Sequence, residues 1–381
     1  MKVPIAFTSL LFLSLAFGVR AFPAKEQGTQ NAAVKYLRAD ASLRQSFPLP
    51  TDAGAKLHKA LESPLNDEDE KLVAAADEAL VEFQHGAASK QCDWEMSAED
   101  GPLASTAHRG SILELASVSG LRARIRFRDG NTAGATTDLL AAMAAARHLS
   151  QDGSLASVLF AYKLENTLSV ILAQNLFRFS EAQLKVLTER VDALPRGFTL
   201  GKALLAEKVQ RNDILEIAQG AKNREELITL LLERVPILQS NRSLATKIVD
   251  GCGGAVEGFL RCANQQEAFY GEWVTKFDLP PEQFERDYKA QLKEVSKDNP
   301  VMQQFTPALP RFRWTEAYCQ TRRALLQAAI AVRLDGPSAL HRHPDPYDRK
   351  PFSYSAVDKG FRLNSQLAEN GSPLSLAVAT P

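Results

Sequence analysis

From about Asn31 to Leu334, apolar residues recur three or four positions apart, and turn signals interrupt them every roughly 15 to 25 residues. Leu57, Leu61 and Leu65 lead into Asn66-Asp67-Glu68-Asp69-Glu70. Asn66 is placed to cap a helix there, and the acids suit the positive end of its dipole. The acidic run is therefore read as a solvated helix start, with cation binding as the alternative. The helix that follows carries Leu72, Val73, Ala76, Leu80 and Phe83 and closes by Gly86. A loop from 86 to 102 holds Cys92-Asp93-Trp94 and the turn Asp100-Gly101-Pro102. Ile112, Leu115, Leu121, Ile125 and Phe127 then mark a helix that stops at Asp129-Gly130-Asn131, and residues 132–149 make its partner. Further helices are predicted over 154–179, 180–194, 199–219, 224–233, 241–276, 281–297 and 314–334. Strand signals are nearly lacking here: Ala and Leu outnumber Val and Ile, and Pro195, Pro236 and Pro310 sit at element ends.

The expected fold class is all-α, an irregular array of antiparallel helix pairs, the economical packing for helices with short connections. It is tetratricopeptide-like in part. The unit over 121–149 has an Arg-Ala-Arg face, an Asp-Gly-Asn turn and an Ala-rich second helix, but its register does not return at a fixed period. The pattern changes at His341-Arg342-His343-Pro344-Asp345-Pro346, where two prolines forbid a helix. Phe352, Tyr354 and Ala356 then alternate with polar residues, Asp358-Lys359-Gly360 supplies a turn, and Phe361 and Leu363 alternate again. That pattern predicts a small β-hairpin over about 350–364, docked through Phe352, Tyr354 and Phe361. The last residues, from Ala368 on, are expected to fray. The organisation is thus residues 1–21, a helical domain over 22–340, and a Pro-rich linker, hairpin and flexible tail over 341–381.

The start of the chain has the layout of a signal peptide: a basic Lys2, an apolar or hydroxyl run from Ile5 to Val19, then Val19-Arg20-Ala21 ahead of Phe22. Cleavage after Ala21 is expected. The run is shorter than the roughly 20 apolar residues that span a bilayer. The predicted location is therefore periplasmic or secreted, with no stable membrane insertion after cleavage. The whole chain balances 45 Lys and Arg against 45 Asp and Glu. Removing Lys2 and Arg20 leaves it close to neutral, so no global field favours nucleic acid.

Several short segments carry a resemblance: Asn31-Ala32-Ala33-Val34-Lys35-Tyr36; Cys92-Asp93-Trp94 with Asp100-Gly101-Pro102; Leu121-Arg122-Ala123-Arg124 through Ala146-Arg147-His148-Leu149; and Asp345-Pro346-Tyr347, Lys350-Pro351-Phe352 and Gly360-Phe361. In this order the chain resembles a family of uncharacterised exported, all-helical proteins of planctomycete-type bacteria. The family pattern ends in Ser-x-Gly and an acidic Gly-rich tail, whereas this chain has Ser365-Gln366-Leu367. The resemblance implies a secreted or periplasmic helical protein and brings no known activity, cofactor or catalytic residue.

The common catalytic signatures are missing: no Gly-x-Ser-x-Gly elbow, His-Glu-x-x-His, Walker loop or Cys-x-x-Cys occurs. Gly251-Cys252-Gly253-Gly254 lacks a phosphate-loop Lys and is read as small residues that let a neighbouring element approach. His341, His343 and Asp345 are weak metal candidates, solvated side chains being the alternative. His85 and His108 flank the Cys92 loop, where a Cys-His nucleophile would require the two to meet in space. Within the loop, Trp94 is expected to bury its ring and Asp93 to accept backbone hydrogen bonds, pinning the connection as structure. Cys92, Cys252, Cys262 and Cys319 permit two disulfides in an exported chain. On a single helix over 241–276, Cys252 and Cys262 would stand about 15 Å apart, leaving Cys92 and Cys319 as their only partners, or free buried thiols instead. Arg311, Arg313, Arg322 and Arg323 with Phe312 and Trp314 form a basic-aromatic cluster, read as ion pairs and rim contacts. Asn241-Arg242-Ser243 and Asn370-Gly371-Ser372 are glycosylation sequons. Taken together, the chain is expected to be a non-enzymatic interaction or scaffold protein that binds another envelope or secreted protein, without a cofactor. A hydrolase or other enzyme with a site assembled from scattered residues is the alternative.

Overall fold

The computed structural model describes residues 31–48, 53–94, 107–210, 213–306, 308–369 and 371–379. The leader, the Asp100-Gly101-Pro102 turn and Asn370 lie outside the described residues. The first half is built from α1 (Ala32–Ser46), α2 (Ala53–Ala60), α3 (Asp67–Ala75), α4 (Asp77–Ala87), α5 (Ala107–Arg128), α6 (Thr132–Leu149), α7 (Leu155–Gln174) and α8 (Glu181–Asp192). The second comprises α9 (Leu200–Gln210), α10 (Asp213–Gly220), α11 (Arg224–Arg234), α12 (Arg242–Gly251), α13 (Val256–Thr275), α14 (Pro281–Val295), α15 (Pro300–Phe305) and α16 (Leu309–Asp335). An antiparallel sheet of β1 (Ser353–Val357), β2 (Gly360–Glu369) and β3 (Ser372–Ala379), in that order, ends the chain. The fold is all-α with a small C-terminal sheet.

The turn chemistry explains the helix starts. Asn66 accepts from the backbone N–H groups of Glu68 and Asp69, and the Asp69 carboxylate returns a bond to the Asn66 N–H. This capping box accounts for two of the orphan donors at the start of α3. Between α5 and α6, Gly130 takes φ 82°, which favours glycine, and Asn131 caps α6 by accepting from the Gly134 N–H at 2.9 Å. The α5–α6 pair then forms around one buried acid. Asp138 of α6, with no exposed area, receives Arg122 and Arg126 from α5 and the Gln84 amide from α4. The Arg-Ala-Arg face thus lies partly against the partner helix, while Arg124 turns to the Ala60 carbonyl at the end of α2.

Three apolar clusters share the interior. The first unites α1 to α8 with α16 and the sheet. A second is closed among α10 to α13 and α15, through residues such as Leu227, Leu231, Ile248, Phe259 and Val301. In the third, Trp273 of α13 meets Phe284 and Tyr288 of α14 edge-on at 5.1 and 5.3 Å, next to Leu200 and Leu204 of α9. Among the described helices α7 is long and apolar enough to cross a membrane, but over half of it is buried in this interior and it carries Glu165 in an ion-pair network.

Several expected elements divide. The helix over 241–276 breaks into α12 and α13 because Gly253 and Gly254 adopt φ 98° and 73°, with the Gly254 N–H closing onto the Val249 carbonyl at 3.0 Å. The helix over 199–219 is likewise two, α9 and α10, and the helix after Asn66 turns at Ala76. The larger correction is at the end of the chain. Residues 372–379, expected to fray, form a strand: β3 pairs with β2 from Ser372 to Ala379, and Leu374, Leu376 and Val378 are buried. The hairpin forms with its turn at Asp358-Lys359, and Phe352 and Phe361 dock as expected. Tyr354 does not; on the edge strand β1 it stays 41% exposed, stacked on Phe361. The sequence suggested a loose tail because it mixes Gly, Ser and Pro with small apolar residues, yet alternate residues of β3 face the helices, and α16 ties the strand down through Arg322, which donates to the Ser375 carbonyl at 2.7 Å. Leu376→Ala should therefore cost about 2–4 kcal/mol in urea unfolding, whereas a frayed tail would leave the midpoint unchanged.

Candidate functional site

The loop after α4 is held to the start of α1 by one asparagine. The Ala32 N–H donates to the Gln91 carbonyl at 2.9 Å, and Asn31 takes both backbone groups of Asp93: its Nδ2 donates to the carbonyl at 2.8 Å and its Oδ1 accepts the N–H at 2.9 Å. The same Oδ1 accepts from the Ala33 N–H at 3.1 Å and so caps α1. Asn31 thus grips the loop by the backbone of Asp93.

Trp94 then lies half-buried across three helices. Its indole N–H donates to the His148 carbonyl at the end of α6 at 2.8 Å; its ring stacks on Tyr36 of α1 at 6.1 Å and leans on His108 of α5 at 4.7 Å. Tyr36 is wholly buried, and Gly86 permits this, since a Cβ there would lie 2.7 Å from the ring. The Tyr36 hydroxyl pairs with Nδ1 of His148 at 2.8 Å, while Nε2 of this fully buried imidazole has no partner. Burial lowers the His148 pKa to about 4, so the ring is neutral near pH 7.

Beside them, His108 Nε2 meets Asp152 Oδ2 at 2.9 Å. The Ser157 hydroxyl and the Ser154 N–H also donate to Asp152. Burial would raise the Asp152 carboxyl, but these three bonds together outweigh it and hold the group below the usual carboxylate range. The order of contacts matters chemically. The carboxylate stands between Ser157 and His108, so the imidazole is not placed to take the serine proton as a general base would. Cys92 is also unsuited to attack: burial pushes its thiol up to about 12, against the opposing pull of the Ala33 N–H. What the arrangement does is join α1, α5, α6 and α7 around one ring.

The other residues singled out in the sequence are dispersed. His85 is exposed and lines an open groove of about 580 Å³ with Lys35, Glu82, Ser89 and Lys90 at the end of α4. Lys35 already donates there to the His85 carbonyl and the Ser89 hydroxyl. Among the described residues no group of three or more His, Cys, Asp or Glu side chains is gathered as a metal would need. His341 lies on the surface and His343 is half-buried, whereas Asp345 is buried: it accepts from Ser365 and from the Tyr347 and Gln366 N–H groups, and so joins the linker to the sheet. The basic-aromatic cluster separates as well. Arg313 donates to the Leu279 carbonyl, Arg322 to Ser375 and Arg323 to Glu165, while the Trp314 indole donates to Glu285. Cys92 packs against the first cluster, Cys319 lies in the third, and Cys252 and Cys262 share the second; all four are free thiols.

Asp138, His148, Asp152 and Glu165 escaped the sequence reading. The available signal was a lone acid in an otherwise apolar helix, as with Asp138 in the Ala-rich α6 and Glu165 in α7. Comparison of the chain with protein-family models, with curated proteins and with solved structures finds no match to any of them.

The His148 environment makes stability depend on pH. Its folded pKa, about 4, lies below the unfolded 6.5, so the unfolded chain binds the proton first as pH falls. The contribution is complete above pH 6.5 and is lost on descending to about 4. Urea unfolding at pH 7 and pH 4.5 should show the native chain losing about 2–3 kcal/mol more than His148→Gln. Equal losses in the two proteins would contradict this environment.

Proposed function

We propose that the chain is an exported, non-enzymatic helical protein that binds another protein of the cell envelope. Export is supported by the leader layout of residues 1–21, and the family that the chain resembles is of the same kind. The observation that carries the non-enzymatic reading is the commitment of the polar side chains around Trp94. Asn31 is spent holding the loop to α1, His108, Asp152 and Ser157 are bonded to one another beside it, and the Cys92 thiol is kept protonated. The surface offers apolar contact on two helices that pack together: Leu37 on α1 and Val81 on α4 are 50% and 47% exposed. Large apolar side chains left in water on neighbouring helices suit a protein partner.

Two measurements test this together. Expressed with its own leader, the chain should leave the cytoplasm and give an intact mass starting at Phe22; a membrane-bound product retaining Met1 would contradict export. In its native cells, an envelope protein cross-linked to the chain should bind the purified mature form, and Leu37→Glu with Val81→Glu should weaken that binding at least tenfold without changing circular dichroism. Hydrolytic turnover of a substrate panel that disappears in His108→Ala would replace this reading with the enzymatic one.

A further inference from the structure

The break between α12 and α13 changes what two of the cysteines can do. On one continuous helix Cys252 and Cys262 would be out of each other's reach. Gly253 and Gly254, both at positive φ, instead fold α13 back past the end of α12. The closeness is visible at Gly258, where an added Cβ would meet the Cys252 carbonyl oxygen at 2.0 Å. Gly258 and Cys262 are four residues apart and share a face of α13, so Cys262 stands one turn further along the face that lies against Cys252. Its thiol lies near enough to that of Cys252 to help push the latter's pKa up. Both side chains are buried, 5% and 8% exposed, within the same apolar cluster. The corner is braced from a third side: Asn299 donates to the Cys262 carbonyl at 3.0 Å, and Pro300 packs where a Cβ on Gly251 would sit.

We propose that Cys252 and Cys262 are a disulfide-forming pair that locks the α12–α13 corner when the chain meets a disulfide oxidant. In the reaction one thiol loses its proton and its sulfur attacks the oxidant's disulfide, forming a mixed disulfide and releasing one thiol. The second cysteine, deprotonated in turn, attacks the protein sulfur of that intermediate, closes the Cys252–Cys262 bond and releases the second thiol. Two electrons pass from the protein pair to the oxidant, and the two protons end on the released thiols. Burial and the neighbouring thiol push Cys252 up to about 12, so the exchange is slow at neutral pH and proceeds when the corner opens. The export reading supplies the oxidising compartment; the pairing itself is a property of the purified chain, so either can fail without the other.

The test is peptide mapping of the full purified chain equilibrated with oxidised and reduced glutathione, alkylated and digested with trypsin without reduction. Trypsin cuts after Lys247, Arg261 and Lys276, which puts the two cysteines on separate peptides, 248–261 and 262–276. The expected product is these two peptides joined, two hydrogens lighter than their sum, with Cys92 and Cys319 alkylated. The oxidised chain should also melt several degrees above the reduced one, and Cys262→Ser should abolish the difference. Both peptides alkylated under the oxidising mixture, or either one joined to a Cys92 or Cys319 peptide, would overturn the proposal. The mapping is done on the native sequence and stands even if Cys262→Ser fails to fold.

Discussion

Glu165 is a carboxylate on the most apolar of the described helices, α7, and the packing of the molecule's two halves depends on how its charge is met. Removal from water would raise its pKa, but Arg323 and Arg147 together outweigh burial and keep it ionised. Arg147 reaches it from α6 at 2.6 Å and Arg323 from α16 at 2.6 Å. Three helices, one of them more than 150 residues further along the chain, are thereby fixed around a single point. A buried ion pair of this kind adds little over an apolar substitute, but losing one member leaves uncompensated charge inside. Its role is positional: it sets which face of α16 lies against α7.

The same logic extends outward. Arg323 also lies over the Tyr162 ring at 5.3 Å, the Tyr162 hydroxyl donates to Glu316 at 2.7 Å, and Glu316 accepts the Leu200 N–H at 2.8 Å, where α9 begins. Next to Arg323 on α16, Arg322 holds β3. The polar chain therefore links the first half, the third apolar cluster and the sheet, while Asp138 organises α4, α5 and α6 in a similar way. The Trp94 loop closes one end of this arrangement through the carbonyl of His148, one residue beyond Arg147 on α6.

Much of the fold was legible because local signals are strong. The Asn66 capping box and the Asp129-Gly130-Asn131 turn act within a few residues and translate directly into structure. Where the reading failed, the deciding interaction was distant or depended on backbone freedom. Gly253 and Gly254 have the composition of small packing residues, yet paired glycines also permit two consecutive positive φ angles, and that turn puts Cys252 and Cys262 in one apolar cluster. β3 has weak strand propensity and is stabilised by α16 and by β2, neither of which is visible in its own residues. For the site, Cys92 and Trp94 were noticeable as rare residues in a long loop. Asn31, Tyr36 and His148 were not, because their roles arise only when α1 and α6 meet.

The most direct test of the central role given to Glu165 is a double-mutant cycle in urea unfolding, comparing Glu165→Gln, Arg323→Gln and the pair of substitutions. A carboxylate that orders three helices predicts a coupling energy of about 2 kcal/mol, with Glu165→Gln alone costing about 3 kcal/mol. Additive effects, with a coupling near zero, would show that α16 is positioned by its apolar face alone and would contradict the account.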